Sequence, residues 1–133
     1  MPLLALGAIF PVEPDAASAC RRALDAALTA KAAIEAENQR RAASGAPLIH
    51  YGLALHVGDV MYGNIGGDTR LDFTVIGPAV NLTARIESMC KALDRSPLLS
   101  AEFVRLSGVK AEFLGEFSLK GVGGRQPIYG VME

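Results

Sequence analysis

The sequence has no tryptophan and only two cysteines, Cys20 and Cys90. No ligand spacing surrounds either one, which excludes a disulfide framework and a zinc cluster. Each falls in a helix-like run and reads as a buried free thiol of a reducing compartment. An excess of charge is also lacking: the net formal charge is −1 and the pI about 6.1. Without a basic stripe there is no electrostatic footprint for nucleic acid. No apolar run approaches the roughly 18 residues that span a bilayer. The opening stretch Met1 to Pro11 is apolar, but it has no basic n-region and no small-residue cleavage site, which argues against a signal peptide. A cytoplasmic chain with no membrane and no nucleic-acid partner is expected. Repeats, low-complexity tracts and linkers are missing too, so residues 1–133 read as a single domain. What is abundant is apolar surface, at 50% of residues, enough for a core without metal or disulfide staples.

Leu3 to Phe10 fits a short buried strand ended by Pro11 and Pro14. Asp15 is placed to cap a helix from Ala16 to Ala43, rich in Ala, Glu, Arg and Lys. Leu24, Leu28, Lys31 and Ile34 recur at spacings of three and four and predict its buried stripe. Lys31, Arg40 and Arg41 read as a solvated face. Ser44-Gly45-Ala46-Pro47 stops the helix. From Leu48 to Val57 the pattern alternates, with Ile49, Tyr51, Leu53, Leu55 and Val57 on one side, as in a strand. Val60 to Ile65 and Leu71 to Ile76 read as two more strands between Gly-Asp turns. Pro78 suits the first turn of a helix, whose inner face carries Ala79, Leu82, Ile86, Met89, Cys90 and Leu93. A short strand at Leu98 to Ser100 and a short helix at Ala101 to Leu106 follow. Phe113 to Leu119 and Pro127 to Met132 close the chain as an antiparallel pair around Gly121 to Gly124. Helices mixed with hairpins indicate α+β.

The chemistry concentrates between Leu71 and Glu87. Asn81 and Arg85 are four positions apart on the predicted helix and share a face. An amide and a planar guanidinium fork projecting together suit a ribose and a phosphoryl group with developing charge. Taken alone, such a pair is far more often a solvated polar face.

The pair is not alone. GLALHVGDVMYGNIGG spans Gly52 to Gly67, RLDFTVIGPAVNLTARIE spans Arg70 to Glu87, and LKGVGGRQPIYGV ends at Val131. These three ordered segments resemble the class III nucleotide cyclases, whose patterns read G-I-x-x-H-x-G-x-V-x-x-G-N-I-G, then R-x-D/T-[YF]-T-V-[IW]-G-x-x-V-N-x-A-A-R-x-E, then L-K-G-x-x-x-P-x-x-x-Y-x-V. The resemblance covers about Gly52 to Val131. It implies a ferredoxin-like α+β fold, a sheet flanked by helices, and an adenylate cyclase activity converting ATP to 3′,5′-cyclic AMP and pyrophosphate with Mg²⁺ or Mn²⁺. By the same resemblance Asn81 orients the ribose, Arg85 stabilises the phosphoryl transition state, Lys120 meets the triphosphate tail and Thr74 reads the base. A threonine hydroxyl accepts from the adenine amino group but also donates, so ATP is favoured over GTP without exclusion. Family active sites form between two protomers, so a homodimer or pairing with a complete cyclase protomer is implied.

The family binds its two metal ions through two Asp residues upstream of all three segments. Here Ala8-Ile9-Phe10-Pro11 matches the end of the hairpin that carries the second, and Leu4 falls where that Asp belongs. No metal ligand is therefore assigned in this chain. It is expected to lack the fold's N-terminal strand and helices and to be inactive alone. The alternative reading is a catalytically dead cyclase-like module that dimerises with and regulates a complete one. Gly66-Gly67-Asp68-Thr69-Arg70 superficially resembles the diguanylate cyclase loop, but Thr69 replaces its acidic residue. Asp59 and Asp68 sit in Gly turns, where Asp is favoured for backbone reasons. His56, opposite Leu53 and Leu55, reads as a hydrogen-bonded structural residue.

Overall fold

The computed structural model describes residues 10–12, 14–58, 61–64, 73–76 and 78–132. The strand expected from Leu3 to Phe10 therefore lies almost wholly outside the described residues, as do Leu4, Asp59, Asp68 and the second Gly turn.

Helix α1 spans Ala16–Ser44, with both ends set by local chemistry. The Asp15 carboxylate accepts from the Ser18 amide at 2.8 Å and closes the first turn. At the other end Gly45 takes φ 77°, the left-handed conformation that lets its amide return to the last carbonyls. Strand β1 (Ala54–Leu55), β2 (Met61–Asn64) and β3 (Phe73–Ile76) follow, then α2 (Pro78–Glu87) and α3 (Cys90–Leu93). The chain finishes with β4 (Leu98–Ser100), α4 (Ala101–Ser107), β5 (Ala111–Ser118) and β6 (Arg125–Val131). One sheet has the order β1-β4-β6-β5, and β2 pairs with β3 in a separate antiparallel ribbon. β1 runs parallel to β4, and the other pairings in the sheet are antiparallel. The β5–β6 register shifts between Phe113 and Gly115, where Gly115 at φ 138° absorbs the extra residue.

Consecutive strand residues point to opposite faces, so the sheet separates two cores. Leu99 packs with Cys20, Ala23 and Leu24 of α1 and Phe103 of α4. Leu98 packs on the other side with Ile86 of α2, Cys90 of α3, Leu119 and Ile128. The α+β arrangement of a sheet flanked by helices is thus present. Among the described residues no helix is long and apolar enough to cross a membrane.

Three expectations need correcting. The α1 stripe is not Leu24, Leu28, Lys31 and Ile34. The buried residues are Ala19, Cys20, Ala23, Leu24 and Ala27, while Leu28 is 38% exposed. Small residues let α1 approach α4 closely along its first half only. The strand expected from Leu48 to Val57 shrinks to Ala54–Leu55. The Asn38 side chain takes both backbone groups of Ile49, accepting from its amide at 2.7 Å and donating to its carbonyl at 3.0 Å. Arg41 holds the Pro47 carbonyl at 3.1 Å. These bonds strap the start of the segment to α1, and further on the Leu53 amide donates to the Ser96 hydroxyl at 3.0 Å. Finally, the helix expected from Pro78 to about Leu93 breaks into α2 and α3. The Ser88 hydroxyl donates to the Arg85 carbonyl at 2.6 Å, and the Met89 amide reaches back only three residues, to Ile86. A hydroxyl that takes a carbonyl near a helix end weakens and bends the helix there.

Candidate active site

Helix α2 carries the expected pair. Pro78 opens it, its fixed φ already helical and its missing N–H not required there. The Thr83 hydroxyl folds back on the Ala79 carbonyl at 2.7 Å, so this threonine is spent on its own helix. Ile86 is 1% exposed and locks the inner face into the core. That rotation leaves Asn81, Ala84 and Arg85 on the exposed face, as helical spacing requires.

The turn after β5 meets this face. Leu119 is buried against Ile86, and Val122 joins the same cluster. The Val122 amide donates to the Leu119 carbonyl at 3.1 Å, and Gly121 at φ 76° turns the chain. Lys120 is left exposed between two anchored neighbours. Asn81, Ala84, Arg85, Lys120, Gly121 and Val122 line one cleft of about 380 Å³. Three of the four expected site residues are thus brought together, from segments far apart in the sequence. The fourth, Thr74, lies in β3 opposite Gly63 of β2, in the strand that leads into α2. Ala84, Gly121 and Val122 were not anticipated. Ala84 was legible in principle, being three residues after Asn81 on the same face.

The electrostatics of the cleft are one-sided. It presents a guanidinium, an ammonium and an amide, and among the described residues its lining includes no carboxylate. Neither the Arg85 nor the Lys120 side chain makes a hydrogen bond or ion pair with another described residue. Such a site suits an anion with oxygen acceptors. It does not fit a divalent cation, and among the described residues no three His, Cys, Asp or Glu side chains gather to hold one. A larger cavity, about 700 Å³, is lined by Leu28, Lys31, Arg95, Pro97, Glu112 and Met132 among others. It contains none of the expected residues, and its Arg95 is already paired with Glu112 at 2.5 Å.

The remaining polar candidates are structural. His56 is 7% exposed at its side chain, with Nδ1 2.7 Å from the Ser100 hydroxyl. Burial pushes its pKa below the ordinary value, and the nearby Glu102 carboxylate partly opposes this. Cys20 and Cys90 are buried free thiols pushed upward by desolvation, hence protonated and unreactive at neutral pH.

Comparison with known proteins extends the argument. No protein-family model matches the chain. Adenylate cyclase 1 of Rhizobium meliloti is 33% identical over 116 residues, covering 86% of this chain and 17% of that protein. The adenylyl cyclase CyaB of P. aeruginosa superposes with a TM-score of 0.73 at 26% identity, covering 91% of this chain and 64% of that one. The guanylyl cyclase Cya2 gives a TM-score of 0.73 at 26% identity, covering 92% and 62%. The chain spans at most 20% of the length of the first relatives it matches.

Proposed function

We propose that this chain, which has the sequence pattern and the fold of a class III nucleotide cyclase catalytic domain, supplies the nucleotide-holding side of a cyclase active site. The observation that carries this reading is the single cleft shared by Asn81, Arg85 and Lys120. ATP is the substrate and 3′,5′-cyclic AMP and pyrophosphate are the products. Asn81 orients the ribose so that its 3′-oxygen faces the α-phosphorus. Arg85 meets the charge that develops on the α-phosphate oxygens and the leaving pyrophosphate, a fixed donor fork requiring no reorganisation as the bond forms. Lys120 holds the terminal phosphates, charged before and after the step. Thr74 contributes to the choice of base.

Divalent metal assists this reaction in the family the sequence resembles, but the cleft's donors are the wrong kind to hold it. The carboxylates belong to a second protomer in this scheme, so the working unit is a dimer. With Leu4 at the matched Asp position, the 133-residue chain by itself forms no cyclic nucleotide. That same substitution favours the second reading, a non-catalytic module that pairs with and regulates a complete cyclase.

Complementation tests both. The chain is mixed with a complete class III cyclase whose own residues corresponding to Asn81 and Arg85 have been replaced. Return of cyclic AMP synthesis, abolished by Arg85→Ala in this chain, supports the first reading. Binding of ATP and of the partner without return of activity supports the second. A chain that binds neither overturns both.

A further inference from the structure

The β1–β2 junction and α4 meet at one buried imidazole. His56 follows β1, and its Nδ1 lies 2.7 Å from the Ser100 hydroxyl. Ser100 is 2% exposed and also caps α4, its oxygen accepting from the Phe103 amide at 3.1 Å. With that oxygen accepting at the cap, the hydroxyl hydrogen is available to His56 Nδ1. The ring's own proton is then at Nε2. Nε2 faces Gly58: a Cβ built there would lie 3.0 Å from Nε2 and 2.7 Å from the Ala79 Cβ. Gly58 is thus held between the imidazole and the first turn of α2, with no room for a side chain.

We propose that His56 is a positioning residue, wedged between Ser100 and Gly58, that sets where α2 begins, so that its protonation displaces the helix bearing Asn81 and Arg85. A proton added at Nδ1 confronts the hydroxyl hydrogen of Ser100, a donor against a donor. Ser100 must turn its hydrogen away from a buried position, and Nδ1 is drawn toward Glu102 Oε2, 3.8 Å distant. The ring moves toward α4 and loosens its hold on Gly58, which packs against the first turn of α2. From α4 the charged group acting on the ring is Glu102; Ser100 on β4 and Ala79 on α2 carry no charge, and no other charged described residue acts on it. Because burial holds the folded ring below its ordinary 6.5, the unfolded chain takes up the proton first. The stability from the neutral ring is present above 6.5 and is lost as pH falls below it. The consequence for nucleotide binding rests on the function proposed above, but the displacement itself does not.

The test therefore needs no nucleotide. Amide nitrogen–proton spectra of the 133-residue chain are followed from pH 8 to pH 5 in a His50→Gln background, which leaves His56 as its one imidazole. The expected result is that amides from Ala79 to Arg85 titrate with the midpoint of the His56 ring. Glu102→Gln, at an exposed site, should lower both midpoints together, and His56→Gln should flatten the α2 response while the spectrum stays dispersed. The proposal is overturned if the ring titrates and the α2 amides do not, if they respond unchanged in His56→Gln, or if they move only with the whole spectrum in global unfolding. Failure of ATP to bind leaves each of these outcomes readable and counts against the functional reading alone.

Discussion

The two faces of the sheet bury similar residues and do different things with their outer surfaces. On the α1–α4 face, Cys20, Ala23, Leu24, Leu99 and Phe103 form a core. Several outward polar groups of the helix above it bond within their own neighbourhood, Arg40 to Glu37 and Asn38 to Ile49. On the α2–α3 face, Ile86, Cys90, Leu98, Leu119 and Ile128 form a second core. There the outward side chains of Asn81, Arg85 and Lys120 have no partner among the described residues and converge on a cleft. A side chain already satisfied by its own fold has little left to offer a ligand. The difference between the faces is therefore in how their polar groups are used rather than in how well they are packed.

Substitution on the first face should separate stability from site chemistry. Phe103 is 1% exposed and joins α4 to α1. Phe103→Ala should cost about 3–5 kcal/mol through lost transfer energy and a residual cavity. That is a large part of the stability of a domain this size. Chemical denaturation followed by circular dichroism measures it. Below the transition, ATP binding should persist, because no cleft residue touches this core. Loss of binding in the still-folded variant would show that the two faces are coupled and would break the comparison.

Arg85 and Lys120 sharpen it from the other side. In the complemented dimer, Arg85→Ala should lower kcat by about 10²–10³, the scale of one preorganised electrostatic contact. Its exposure predicts little change in the denaturation midpoint. Lys120→Ala should chiefly raise KM, since the terminal phosphates are charged before the reaction begins. Steady-state kinetics on both variants decide the assignment. If Arg85→Ala changes KM alone, that residue is a binding contact and the roles assigned here are wrong.

How much of this was legible in the sequence depended on the range of the interaction. Asp15, Gly45 and Pro78 act within a turn of where they stand, and α1 and the start of α2 were placed from them. The shared face of Asn81 and Arg85 followed from helical spacing, and the ordered cyclase-like segments suggested Lys120 as their companion. The shortening of β1 was not legible. It depends on Asn38 reaching Ile49 across a tertiary contact, and the alternation from Leu48 to Val57 gives no sign of it. The buried face of α1 was misplaced because alanines carry little apolar signal, although their small size is what allows close helix packing. The break at Ser88 is local, but serine in mid-helix more often points harmlessly to solvent, so its bond to the Arg85 carbonyl needed coordinates.

The smallest expected effect belongs to Thr74, and it tests whether the cleft's neighbourhood extends to the base. Thr74 pairs with Gly63 in the β2–β3 ribbon, and β3 leads into α2. A base-reading residue there would stand upstream of the residues that hold ribose and phosphate, in the order the chain delivers them. The resemblance assigns it to adenine, whose amino group needs an acceptor, and a threonine hydroxyl is one. Because the hydroxyl can also donate, its discrimination against guanine should be slight. Thr74→Ala should therefore weaken ATP use by about 1 kcal/mol, roughly a fivefold loss in kcat/KM, the worth of one hydrogen bond exchanged with water. GTP use should fall less, so the preference for ATP narrows. Thr74→Val provides the control, keeping the strand-favouring β-branched shape while removing the hydroxyl. If Val behaves as Ala does, the hydroxyl reads the base. If Val restores the parental selectivity, Thr74 serves the β2–β3 ribbon through its shape, and the selective contact to the base must come from another residue.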